Sequence, residues 1–471
     1  MTSPPGGEPG LSGASPGDVS ALVARLGATF RTGRTRPLAW RAEQLRGILR
    51  LLTAHEDELL AALAADLGKP PLEAYTTDVG FVKAEVDHAL AHLGRWTRPE
   101  RVPTPLLAQP GRAWVQREPL GVVLIIAPWN YPVQLTLGPL VGALAAGNCA
   151  VVKPSELAPA TSAVLARRLP EHVDPAAVAV VEGGVPEASA LLTERFDHIL
   201  YTGNGRVARI VMAAAAAHLT PVTLELGGKS PVIVDRSAPV ATAARRIAWG
   251  RYLNAGQTCI APDYVLCHAD RIDELTDAVG AAARAFYGSD PQTNPDYGRI
   301  LNEHHVRRLV GYLSDGVIAF GGTHDATDRF LAPTALRDVP DDAPSMTEEI
   351  FGPVLPIRAV ADVDEAVAFV NGREKPLALY VFTGNQGVAR HVVDSTSSGS
   401  AVVNATLLQA SVPGLPFGGV GASGTGAYHG HRGFSTFSHD KAVLRRAVRP
   451  DPDVAYPPST RWKTRLVRRF L

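Results

Sequence analysis

The chain is predicted to be an α/β protein with two parallel-sheet lobes and a small strand-built bridging element, on three observations. Its 471 residues exceed what a single hydrophobic core ordinarily supports. From Leu120 onward, short β-rich runs alternate with longer stretches at helical spacing, the pattern of a parallel sheet with right-handed crossovers. A glycine-bearing turn at 203–205 joins one such strand to the next helix, as in a Rossmann-like fold, where ligands collect at the carboxyl ends of the strands.

The elements follow in order. Residues 1–17, rich in Pro, Gly and Ser, read as a disordered tail. Residues 18–98 are helical, with apolar periodicity over 39–52 and 56–67 and Gly68 closing the second run. Four prolines punctuate 99–118, whose end, Ala113 to Arg117, suits a bridging strand. Residues 119–226 carry strand candidates at 122–127, 150–153, 178–181 and 198–201. A second sheet lobe, 227–412, opens on 231–235, continues through a helical 240–254 and adds strand candidates at 354–357 and 379–382. The segment 413–445 is too rich in glycine, at 415–426, for an ordinary helix and is assigned to an oligomerisation arm. Residues 446–471 form a C-terminal tail.

Composition narrows the function. Lys plus Arg and Asp plus Glu both number 46, which leaves no electrostatic footprint for nucleic acid; the expected partner is a small molecule. Cys149, Cys259 and Cys267 form neither a disulfide framework nor a CxxC metal motif. This fits a reducing cytoplasm and predicts no metal. The start lacks the basic and apolar regions of a secretory signal, and the longest apolar runs fall short of the roughly 20 residues that span a bilayer. At the C-terminus, Trp462, Leu466 and Phe470 fall on one helical face beside Lys463, Arg465, Arg468 and Arg469. That pattern suits either peripheral membrane contact or docking on the chain's own subunit.

Several motifs carry chemistry, three of them with a plainer alternative. Cys259 follows a flexible Gly256-Gln257-Thr258 turn, where a thiol is exposed enough to act as a nucleophile, although most lone cysteines are small buried hydrophobes. Glu225, set among apolar residues before Gly227-Gly228, suits a half-buried base whose pKa rises with burial, or a strand-end partner for a Lys or Arg. Asn130, between Pro128 and Pro132, can donate its amide to an oxyanion or serve as a turn residue. Lys153 and Glu156 end another strand, where they can grip a nucleotide. Gly203-Asn204-Gly205-Arg206-Val207-Ala208 matches a loose GxGxxA pattern for pyrophosphate at a helix N-terminus. A strict fingerprint reading would then place Glu225 on a ribose and leave Cys259 without a base.

Six motifs in order settle that conflict: Trp129-Asn130-Tyr131-Pro132, Lys153-Pro154-Ser155-Glu156, Glu225-Leu226-Gly227-Gly228-Lys229, Gly256-Gln257-Thr258-Cys259, Glu348-Glu349-Ile350-Phe351-Gly352-Pro353 and Pro416-Phe417-Gly418-Gly419. With them the chain resembles the aldehyde dehydrogenase superfamily from about Asp18 to Lys441. It is most similar to the class 3 branch, through 32–38, 196–201 and Tyr428-His429-Gly430. The resemblance implies a Rossmann-like cofactor domain (18–98 with 119–226), an α/β catalytic domain (227–412) and a bridging and oligomerisation element. It implies NAD or NADP as cofactor, an aldehyde as substrate and a homodimer.

The same resemblance implies residue roles. Cys259 would form the acyl bond, Asn130 and the Cys259 amide the oxyanion hole, and Glu225 the general base, with Glu349 as an alternative for activating water. Lys153 and Glu156 would face the adenosine ribose, Gly203 and Asn204 the cofactor loop, Glu349 the nicotinamide ribose, and Phe351 the ring. Tyr131 and Thr258 would line the substrate channel for medium-chain aliphatic or aromatic aldehydes. The chain departs from the branch at Asn204-Gly205-Arg206, where Arg206 would meet either an extra phosphate or solvent, and at 404–409, which leaves the aldehyde open. Two rival readings are thioester or ester hydrolysis with an idle dinucleotide site, and a catalytically silent structural dimer.

Overall fold

The computed structural model describes residues 15–105, 108–451 and 453–470. The expected tail therefore lies mostly outside the described residues, but its last part does not. Ser15 caps a helix, Pro16–Arg31, whose capping box pairs Ser15 with Asp18; the tail boundary at residue 17 moves back accordingly. Further helices, Leu38–Ala54, Glu56–Leu67 and Gly80–Trp96, complete the helical opening, and Gly68 ends the third in the left-handed conformation.

A six-stranded sheet follows, in the order Gly424–Thr425, Val222–Leu226, His198–Gly203, Val122–Ile126, Cys149–Lys153 and Val178–Val180, parallel except for its first strand. Helices cover both faces, so the strands are apolar throughout rather than alternating. Val123, Ile125, Ala150 and Val152 enter one core with the opening helices. Val122, Leu124, Ile126, Cys149 and Val151 enter another with the Pro16–Arg31 side. Burial thus accounts for Cys149 as an apolar strand residue.

A second, seven-stranded sheet runs Val317–Phe320, Thr334–Arg337, Val354–Val360, Tyr264–His268, Pro231–Val234, Ala378–Phe382 and Ser400–Val403. It is parallel apart from the first pair and buries Cys267 in the same way. The expected helix at 240–254 ends at Tyr252. Three antiparallel strands, Glu100–Val102, Gly111–Pro119 and Ser438–Arg446, form a separate ribbon.

Residues 413–445, expected to form one arm, divide among three places. Gly424–Thr425 extends the six-stranded sheet beside Glu225. The helix Gly430–Thr436 packs on Gln134–Ala146, where a Cβ at Gly142 would come within 3.0 Å of the Gly433 backbone. Only from Ser438 does the chain join the ribbon. The C-terminal tail ends in a helix, Arg461–Phe470.

Candidate active site

The strands Val122–Ile126, Cys149–Lys153, His198–Gly203 and Val222–Leu226 deliver Asn130, Lys153, Gly203 and Glu225 to one rim of the sheet. There a cavity of about 410 Å³ is lined by nine of the predicted residues, Asn130, Lys153, Glu156, Gly203, Asn204, Glu225, Cys259, Glu349 and Phe351. Tyr131 and Thr258 are not part of that lining. They are buried, and their hydroxyls bond each other.

The Cys259 loop is held in an unusual backbone shape. Asn254, Ala255 and Gly256 have φ of 54°, 50° and 77°, a left-handed run that surrounding contacts must impose. A Cβ at Gly256 would sit 2.2 Å from the Gly352 carbonyl oxygen, so glycine is needed for the loops carrying Cys259 and Glu349 to meet. Asn130 Nδ2 donates to the Gln257 carbonyl at 3.1 Å, and Asn254 Nδ2 donates to the same carbonyl and to that of Asn130. The buried Lys69, paired with Asp78 at 2.7 Å, also donates to the Asn130 carbonyl. Together with the Tyr131–Thr258 bond, these contacts lock the two loops to each other.

The electrostatics favour neutral forms. Burial pushes the Cys259 thiol up, and the carboxylates of Glu349 and Glu225 add to the effect, against amide hydrogen bonds at Cys259 and Ile260. Burial alone raises Glu225 well above the carboxylate range, and both its oxygens lack a partner. The structural alternative for this residue, an ion pair with a neighbouring cation, is therefore absent. Glu349 is pushed up to about 8, first by burial and then by Asp263, against a Gly228 hydrogen bond. A Cβ at Gly227 would lie 2.1 Å from Glu349 Oε1. Gly227→Ala is accordingly expected to displace the Glu349 carboxylate and weaken NAD(P) binding about tenfold, measured by quenching of protein fluorescence.

Lys229, though next to the motif glycines, crosslinks rather than reacts. Its Nζ donates to Asp263 at 2.6 Å and to the carbonyls of Ser345 and Glu348. Asp263 also pairs with Arg251, which is fully buried and donates to the Val354 carbonyl. One carboxylate thus ties together the chain after Glu225, the chain after Cys259 and the segment bearing Glu349. Asp263→Ala leaves the buried Arg251 and the partly buried Lys229 without their carboxylate and is expected to cost about 3–5 kcal/mol of stability, read from urea unfolding.

At the other end of the cavity, Lys153 Nζ bonds Glu156 at 3.1 Å and the Pro154 carbonyl. Asn204 accepts the Val207 amide and caps the helix Gly205–Ala216, while Arg206 is exposed and outside the lining. The N-terminus of a second helix, Val185–Thr193, also reaches the cavity through Gly184, Val185 and Ala188. Trp129 meets Phe351 edge-on at 5.4 Å, with His305 beside it. Trp129 and Phe417, both lining residues, stand inside the motifs of the sequence, yet residue type alone gives them no role. His305 and the Val185 helix carried no motif at all.

Comparison with known proteins decides the family. The pattern described as "Aldehyde dehydrogenase family" matches residues 10–443. The chain belongs to the aldehyde dehydrogenase family. Aldehyde dehydrogenase family 3 member A2 of Mus musculus is 50% identical over 451 residues, covering 95% of this chain and 93% of that protein. The "Aldehyde dehydrogenase, dimeric NADP-preferring" of Canis lupus familiaris is 46% identical, covering 95% and 99%. Among solved structures, a substrate-bound Staphylococcus aureus AldH superposes with a TM-score of 0.94 at 42% identity, covering 96% of this chain and 99% of that one. A Mycobacterium tuberculosis aldehyde dehydrogenase complexed with NAD+ gives 0.82 at 29% identity, covering 91% and 90%. This aldehyde dehydrogenase is thus an NAD(P)-dependent enzyme that oxidises aldehydes, and both the class 3 resemblance and the two-sheet α/β fold hold.

Proposed function

We propose that the enzyme converts a medium-chain aliphatic or aromatic aldehyde to its carboxylic acid through a covalent bond to Cys259. The observation that carries this reading is that the Cys259 thiol opens into the same cavity as the Glu225 carboxyl, both of whose oxygens lack a partner, and the Glu349 carboxyl, whose Oε1 lacks one. The lining fits a dinucleotide. Two helix N-termini favour phosphate, Lys153 and Glu156 suit ribose hydroxyls, and Thr202 Oγ1 and Glu349 Oε1 are buried without partners. NAD(P)+, when bound, accepts the hydride whose loss turns the sulfur-bound carbon into a thioester.

The chain's own groups supply the rest. Glu225, which burial makes a stronger base, takes the thiol proton in its ionised form as the sulfur adds to the aldehyde carbon. The oxygen of the thiohemiacetal gathers charge beside the Asn130 amide and the Cys259 N–H. After Glu225 passes its proton to solvent, it takes one from the water that cleaves the thioester, and the carboxylic acid leaves with the thiol restored. The net reaction is aldehyde, NAD(P)+ and water to acid, NAD(P)H and a proton. Glu225→Gln is expected to lower turnover about 100-fold or more, read as NAD(P)H absorbance. A loss of that size in Glu349→Gln with Glu225→Gln unaffected would move the role to Glu349. An aldehyde panel with each cofactor, ranked by kcat/KM, tests the substrate class.

The same proposal includes a cytoplasmic homodimer. Ser438–Arg446 is a nine-residue edge strand with Leu444 exposed, a surface suited to pairing with a second copy, and one relative is named dimeric. Light scattering at twice the chain mass supports it; a monomer removes it. In the helix Arg461–Phe470, Trp462 and Leu466 are exposed beside Arg465, Arg468 and Arg469, which suits peripheral contact with anionic lipid. Cosedimentation with anionic vesicles that is lost in Trp462→Ser tests that contact. No helix among the described residues is long and apolar enough to cross a membrane.

A further inference from the structure

Away from the cavity, the end of the helix Leu38–Ala54 meets the end of the helix Pro159–His172. A Cβ at Gly47 would come within 2.1 Å of the His172 carbonyl oxygen, and the Asp174 amide donates to Gln44 at 2.7 Å, so the two backbones are held in close register. At this corner His55 Nε2 and His172 Nε2 face each other at 3.0 Å. Glu171 Oε2 lies 3.9 Å from His55 Nε2, and all three ligand atoms fall within 4.8 Å of one another.

We propose that His55, His172 and Glu171 form a binding site for a borderline divalent cation of the Zn2+ or Cu2+ class, bridging two helices of the cofactor domain. Two imidazole nitrogens about 2.0–2.1 Å from one ion lie 3.0 Å apart at an N–metal–N angle of about 90°. Imidazole with a carboxylate suits these ions better than Ca2+ or Mg2+. The other nitrogen of His55, Nδ1, faces Glu58 Oε2 at 3.5 Å, and hydrogen bonds from Arg167 and Arg168 hold that carboxyl below its usual range. A carboxylate accepting Nδ1–H leaves Nε2 with a free lone pair, the arrangement that supports metal-ligating histidines. Burial, and then His55, lower the pKa of His172, against Glu171. Without metal the two rings share an N–H···N bond, and metal entry shifts the His172 proton to Nδ1. Arg168 also bonds Glu171 at 3.2 Å, a partly exposed pair that yields at little cost.

The site is tested on the full-length enzyme stripped with EDTA and titrated with ZnCl2 by calorimetry. One equivalent is expected to bind in the native protein and about tenfold or more weaker in His172→Gln, with Glu171→Gln weakened less. Cys259 is common to all three proteins, so the difference isolates this corner. Zn2+ should also raise the thermal midpoint of the native protein but not of His172→Gln, while oxidation without added metal stays equal in both. Identical isotherms in native protein and His172→Gln, or no site filled at millimolar Zn2+, would overturn the assignment.

Discussion

Replacing Cys259 with alanine is expected to lower kcat/KM for aldehyde oxidation about 10⁴-fold or more while leaving NAD(P) affinity within a factor of about two. The size follows from the proposed covalent route: among the described residues no other cysteine reaches the cavity, since Cys149 and Cys267 are buried on strands. The cavity otherwise keeps its shape, because the loop around residue 259 is anchored through Gln257, Asn254 and Gly256 rather than through the thiol. NAD(P)H absorbance and a fluorescence titration measure the two quantities separately. A Cys259→Ala protein turning over near the native rate would remove the covalent route.

Asn130→Ala is expected to reduce kcat about a hundred- to a thousandfold, the usual cost of one oxyanion donor. The Asn130 amide has two N–H groups; one is used on the Gln257 carbonyl, and the other is free to meet a developing oxyanion. That carbonyl keeps a second donor, Asn254 Nδ2 at 3.2 Å, so the Cys259 loop should stay in place and the thermal midpoint should change little. An equal loss in midpoint and rate would instead mark Asn130 as a structural brace. Steady-state kinetics beside a melting curve separate the two outcomes.

The groups that converge on the cavity were legible because each sits at a strand end or tight turn, where residue type is constrained locally. Asn130 between prolines, Lys153 before Pro154 and Cys259 after Gly256 are of this kind. What holds them together was not legible. The contacts among Lys229, Asp263 and Arg251, and the bond between Tyr131 and Thr258, span distant positions that no short-range spacing encodes. The strand Val222–Leu226, which carries Glu225, is absent from the strand candidates although Glu225 itself reads as a strand-end residue, because Thr223 and Glu225 interrupt the unbroken apolar run that marks Val122–Ile126. The glycines of 415–426 exclude an ordinary helix, but their number does not say what they are for. They allow close backbone approach, as at Gly424, where a Cβ would lie 2.3 Å from the Leu224 carbonyl oxygen. The upward shift of the Cys259 thiol comes first from burial and then from two carboxylates distant in sequence, Glu349 and Glu225, so it exists only once the lobes are folded.

The most direct test is mass spectrometry of enzyme quenched in acid during turnover of a slowly hydrolysed aromatic aldehyde with NAD+ or NADP+. An added acyl group is predicted on the peptide containing Cys259, appearing with the first equivalent of NAD(P)H and decaying as acid is released. Reduced cofactor formed with that peptide unmodified throughout, or with the acyl group on Cys149 or Cys267, would contradict the account.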